Sequence, residues 1–94
     1  MTGAGGTLVL EGAVTVETVP ELVEQIAPHL KSGVNRVDFS RVANIDSAAV
    51  ALALEWRRQA ESASIPLALT NLPDVMRNLA NLYGVADLLA APDS

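Results

Sequence analysis

The chain has 94 residues, no cysteine and a formal net charge of −5, and 50% of its residues are hydrophobic but only 3% aromatic. This length predicts one globular domain, and the lack of cysteine excludes disulfides and thiolate metal sites. Six scattered Lys and Arg residues in an acidic chain argue against a nucleic-acid-binding surface and against a polybasic membrane patch.

The N-terminal third predicts a tail, a strand and a helix. Residues 1–6 are small and glycine-rich, so we expect a flexible tail there. Residues 7–11 are typical of a first strand, and residues 13–16 could return beside it as the second strand of a hairpin. A helix then begins after Thr18 in a capping-box pattern, and Pro28 is expected to kink or shorten it.

The middle of the chain combines a buried strand with a long helix. Residues 34–39 alternate as a strand does, and a short polar loop leads to a helix over residues 47–62. Residues 48–54 of this helix carry no charged or hydrogen-bonding side chain, so the helix must be buried or covered by a partner. Its predicted core stripe is Ala49, Leu52, Ala53, Trp56 and Ala60. The side chains expected in solvent are Glu55, Arg57, Arg58, Gln59 and Glu61.

The C-terminal third adds a strand over residues 65–70 and a helix that begins at Pro73 and stops at Gly84. A short closing element is expected over residues 85–89, and residues 90–94 are expected to form a polar tail. Strands therefore alternate with helices along the chain. This order predicts an α/β domain with a mixed, mostly parallel sheet of four to five strands and about three packed helices.

The sequence contains no set of residues typical of an active site. His29 is the only histidine, and a surface position at a helix end is expected for it, because no cysteine or paired carboxylates surround it as a metal site would require. The glycine pattern of a phosphate-binding loop is also missing. We therefore predict a protein without catalytic activity, metal or cofactor.

Asp46 and Ser47 stand at the start of the long helix and admit two interpretations. One of them could be an ordinary N-cap, which contributes ~1 kcal/mol. Ser47 could also present its hydroxyl for recognition or phosphorylation, because a helix N-terminus favours a phosphate. Ala48, Ala51 and Glu55 should point away from the core stripe, and the two alanines would form a flat surface on which another protein can pack.

The segment VDFSRVANIDSAAVALAL, residues 37–54, resembles the signature of STAS domains, the fold of sulfate transporters and anti-sigma-factor antagonists. In that family a strand ending in Asp-Leu/Phe-Ser precedes a short loop, an Asp-Ser/Thr-x-Gly motif and an apolar helix. The resemblance covers residues 7–89, which we take as the domain. The segment LANLYGVADLL makes the chain most similar to the small stand-alone STAS subunits of Mla phospholipid-transport ABC complexes. The chain departs from the common pattern at Ala49, where most relatives carry glycine.

This resemblance implies a cytoplasmic accessory subunit, held at the inner membrane only through its partner. It would bind the ATPase subunit of an ABC transporter that also contains permease and substrate-binding subunits and that maintains outer-membrane lipid asymmetry. The implied partner contact includes Asp46, Ser47, Ala48, Ala51 and Glu55. An alternative within the family is an anti-sigma-factor antagonist switched by a serine kinase at Ser47. A lipid-binding module and a weak homodimer through the flat helix face also stay open.

Overall fold

Strands alternate with helices along residues 2–4 and 6–89, the part of the chain that the computed structural model describes. The strands are β1 (Thr2–Ala4), β2 (Thr7–Val14), β3 (Arg36–Ile45) and β4 (Ala68–Thr70). The helices are α1 (Val19–Glu24), α2 (Ile26–Lys31), α3 (Ser47–Ser62) and α4 (Asp74–Leu82), followed by a 3-10 turn at Ala86–Leu89. The predicted α/β class is confirmed.

The sheet has the order β1-β2-β3-β4, in which β2, β3 and β4 run parallel. Its parallel part thus has three strands, fewer than the four to five predicted. A fourth strand comes only from β1, which pairs antiparallel with β2 and lies in the segment where we expected a flexible tail. The chain must reverse direction between β1 and β2. Gly6 lies there with a φ of 86°, a conformation that glycine adopts readily. The predicted tail at residues 90–94 lies outside the described residues.

The predicted hairpin at residues 13–16 is wrong, because β2 continues past Gly12 to Val14 without a turn and residues 15–16 lie in the turn that follows it. Gly12 has a φ of 77° and marks a shift in the pairing register with β3, after which Ala13 lies opposite Asn44. Such a bulge bends a strand but keeps it in the sheet. Pairing with the second half of β2 also explains why β3 extends to Ile45, through the segment predicted as a polar loop.

The predicted first helix is two short helices, α1 and α2, separated at Gln25. Pro28 has no N–H to donate to the carbonyl of Glu24, four residues earlier, and its ring crowds that carbonyl. The expected shortening by proline is therefore confirmed, and the break lies one turn before the proline itself.

Helix α3 lies at the centre of the helical layer, in contact with α1, α2 and α4. Every residue of its predicted core stripe is buried. In β2 and β3, alternate residues such as Leu8 and Phe39 are also buried, whereas Val9 and Asp38 are only half-buried. The helices therefore cover one face of the sheet. No helix within residues 2–4 and 6–89 combines the length and apolar character needed to cross a membrane.

Two side chains expected at the surface are instead part of this packing. His29 is half-buried and stacks on Trp56, with 6.2 Å between the ring centroids. Arg57 donates from Nη1 to the carbonyl of Leu67 at 3.0 Å, and burial lowers the pKa of its guanidinium. His29 is covered because α2 packs on α3, and Arg57 because the segment just before β4 brings the carbonyl of Leu67 to the flank of α3.

Candidate functional site

Asp46 links the start of α3 to the loop that follows β2. Its backbone is extended, and its carboxylate accepts hydrogen bonds from the N–H of Ala48 at 2.8 Å and from the N–H of Val16 at 3.0 Å. Of the two residues proposed as N-cap, Asp46 has this role, and Ser47 is the first residue of the helix. One carboxylate therefore fixes two separate chain segments at the same edge of the sheet.

Ser47 is exposed, and its hydroxyl forms no hydrogen bond within the described part of the chain. The neighbouring backbone donors are already used, because the N–H of Ala48 bonds to the carboxylate of Asp46 and the N–H of Ala49 to its carbonyl. A phosphate on Ser47 would therefore meet the charge of Asp46 rather than a set of free N–H groups. The hydroxyl itself is open to contact by another molecule.

The remaining predicted site residues share one face of α3. Ala51 is exposed, and Ala48 and Glu55 are half-buried, as expected for residues spaced by three and four positions on a helix. Ala49 is fully buried, so the methyl group that replaces the family's glycine points into the core and leaves this face unchanged. The structure thus brings all the predicted site residues together around the N-terminal half of one helix.

Val16 lies beside the start of α3, and not in the strand predicted over residues 13–16. Its side chain is 68% exposed, and the bond from its N–H to Asp46 holds it beside the start of α3. No periodicity in the sequence marks this residue, because it lies in a turn between β2 and α1. We call Val16, Asp46, Ser47, Ala48, Ala51 and Glu55 the helix-start surface.

Glu55 forms a charged edge of the helix-start surface. Its carboxylate accepts hydrogen bonds from Nε of Arg58 and from the side-chain amide of Gln59, each at 2.8 Å. These donors, Arg58 before Gln59, lower the pKa of Glu55 from 4.5 to about 2. The charge is therefore present throughout the neutral and mildly acidic range.

The substitution Arg58→Ala should raise the pKa of Glu55 towards its ordinary value, because it removes the main donor to the carboxylate. A depressed carboxylate pKa stabilises the folded state above the unfolded pKa, and this contribution is lost as the pH falls from 4.5 towards 2. An NMR titration of the Glu55 side-chain carboxyl measures the shift. The same titration in Arg77→Ala, another exposed arginine, should leave the Glu55 value where it is in the wild type.

Asp38 of the Asp-Phe-Ser segment has a structural role in the first half of β3, opposite the end of β4. Its carboxylate accepts from the side-chain amide of Asn71 at 3.0 Å and from the N–H of Ser40 at 2.8 Å. The bond from Asn71 is the main reason that the pKa of Asp38 is below its ordinary value, followed by the bond from Ser40. The motif therefore fastens the loop after β4 to β3.

Three parallel strands with helices on one face, and the N-terminus of α3 just after the carboxyl end of β3, fit a STAS domain. The family model described as "Mlab, STAS domain" matches residues 1–90, so the chain belongs to the MlaB-type STAS domain family. STAS domains are generally non-catalytic. A search of curated proteins finds no significant match.

Proposed function

We propose that the chain is a non-catalytic accessory subunit of an Mla-type ABC transporter and binds the ATPase subunit of that transporter through the helix-start surface. In this role it lies at the cytoplasmic face of the inner membrane and supports the transport of phospholipids that keeps the outer membrane asymmetric. Membership of the MlaB-type family supports this assignment at the level of the domain.

One observation carries the choice of surface. The first two turns of α3 expose Ser47 and Ala51, two small side chains that lie between the carboxylates of Asp46 and Glu55. Val16 adds an exposed apolar side chain at the rim. Small residues at a helix surface let another backbone or helix approach closely, and a partner that does so would also bury the exposed apolar side chain of Val16.

The substitutions Ser47→Arg and Ala51→Arg should each leave the fold intact and abolish co-purification with the ATPase subunit. Both positions are exposed, so a long side chain is accommodated in the free domain but clashes with a closely packed partner. Co-purification of the tagged chain from its native cells, with circular dichroism of each variant, is the measurement. The same experiment identifies the partner by mass spectrometry.

Glu61→Arg is the matched control, because Glu61 is exposed on the same helix at the opposite end from Ser47. It should retain full binding. If Ser47→Arg and Ala51→Arg also retain full binding, the helix-start surface is not the docking site.

The exposed hydroxyl of Ser47 supports a second candidate, an anti-sigma-factor antagonist switched by a serine kinase. This function requires a species heavier by one phosphate in the intact mass, and its loss in Ser47→Ala. The charge of Asp46 beside the hydroxyl favours the first proposal, because it would repel the added phosphate.

A further inference from the structure

A second feature of the molecule lies on the other side of the loop that carries Val16. A groove of about 350 Å³ separates the second half of β2 from α1. Leu10 and Val14, both buried, form its floor together with the half-buried Leu22. The exposed carboxylate of Glu21 stands at its rim. The groove is thus apolar at its base and acidic at its edge.

The charge around this groove is mainly negative, because Glu11 and Glu21 line it, although Arg41 lies opposite Glu11 in β3. Glu17, Glu21 and Glu24 are all exposed and follow one another at the spacing of a helix turn, and residues 1–30 contain no Lys or Arg. None of these three carboxylates forms an ion pair with a described residue. Only Glu21 gains from the dipole of α1, because Glu17 precedes the helix and Glu24 ends it, where the dipole disfavours a negative charge.

We propose that this groove receives a basic segment of the protein that docks on the helix-start surface. A lysine or arginine side chain would lie with its aliphatic part over Leu10 and Val14 and its charged end at Glu21, since long basic side chains cover apolar surface in this way. This inference rests on the proposed function, because Val16 of the helix-start surface lies between Val14 and Thr18, which both line the groove.

The negative charge around the groove distinguishes between the molecules that could occupy it. A second copy of the chain would bring a net charge of −5 against the same carboxylates, and an anionic lipid headgroup would be repelled in the same way. A basic segment of the partner is attracted instead. Attraction of this kind acts mainly on the rate of association and weakens as salt is added.

The test compares two variants of equal net charge. Glu17→Gln, Glu21→Gln and Glu24→Gln together neutralise one carboxylate that lines the groove and two exposed carboxylates next to lining residues. Three exposed carboxylates elsewhere are neutralised in the control variant, which carries Glu61→Gln, Asp74→Asn and Asp87→Asn. We expect the groove variant to associate with the purified transporter complex about ten-fold more slowly than the control at low salt, with the difference vanishing at high salt. Equal association rates for the two variants would overturn the inference.

A second measurement needs no transporter and separates this inference from the proposed function. Hexalysine added to the labelled chain should shift the amide NMR signals of residues 10–14 and 17–25, and salt should reverse the shifts. Shifts of equal size around Glu61 and Asp87 would show general attraction to acidic residues and would contradict a specific groove. If the groove signals shift while Ser47→Arg and Ala51→Arg both retain full binding to the ATPase subunit, the helix-start surface is not the docking site, whereas the groove still binds basic segments.

Discussion

The substitution Trp56→Ala should lower the free energy of unfolding by about 3–5 kcal/mol, the cost expected for removing a large buried aromatic side chain. Trp56 is 1% exposed and stacks on His29, so its loss leaves a cavity between α2 and α3. A domain of this size is stable by only about 5–14 kcal/mol, so about a fifth or more of its stability would be lost. Thermal unfolding followed by circular dichroism should show a melting temperature lower by more than about 12 °C.

Trp56→Phe is the matched control for this prediction. The indole nitrogen Nε1 is buried and has no hydrogen-bond partner within the described residues, and an unpaired buried donor costs about 1–3 kcal/mol. Phenylalanine keeps most of the ring and removes that donor, so we expect it to cost less than half as much as alanine. Equal costs for the two substitutions would show that ring packing is not what Trp56 contributes.

Much of the helical layer could be predicted from the sequence, because helix α3 has a strong periodic pattern. Its five predicted core residues are buried, and its start at Asp46-Ser47 agrees with the structure. Apolar residues at helical spacing lie on one side of a helix and are stable there only when that side is buried. The pattern therefore determines which face of α3 packs on the sheet. Residues of the same helix that lie outside this stripe must point away from the sheet, which is why Ala51 could be assigned to the exposed face.

The features that the sequence did not predict depend on pairing between distant segments. Residues 13–16 have the composition of a returning strand, yet the partner that decides their conformation is β3, thirty residues later. Val16 likewise joins the helix-start surface only through its bond to Asp46. In the sequence Arg57 resembles any solvated helix residue, because its acceptor, the carbonyl of Leu67, lies ten residues later, just before β4. Local patterns carry no information about such partners, because sheet pairing is set by tertiary context.

The link from Asp46 to Val16 is therefore the contact on which both the fold and the proposed site depend. Asp46→Ala removes both hydrogen bonds of the carboxylate, and we expect it to lower the free energy of unfolding by about 2–3 kcal/mol. Ser47→Ala removes no hydrogen bond within the described residues and should change it by less than about 0.5 kcal/mol. Denaturation by urea measures both values. Equal stabilities of the two variants would contradict the role of Asp46 as a link.

Asp46→Asn separates the two halves of this contact. Asparagine is a good N-cap, so its side-chain oxygen can still accept from the N–H of Ala48. Its amide group then faces the N–H of Val16, and two donors cannot bond. Hydrogen exchange should show that the amide of Val16 loses protection in both variants, whereas that of Ala48 loses it only in Asp46→Ala. Because the loop is released in both, each variant should bind the ATPase subunit more weakly than wild type, even where the chain is fully folded. Unchanged binding by Asp46→Asn would remove Val16 from the docking surface.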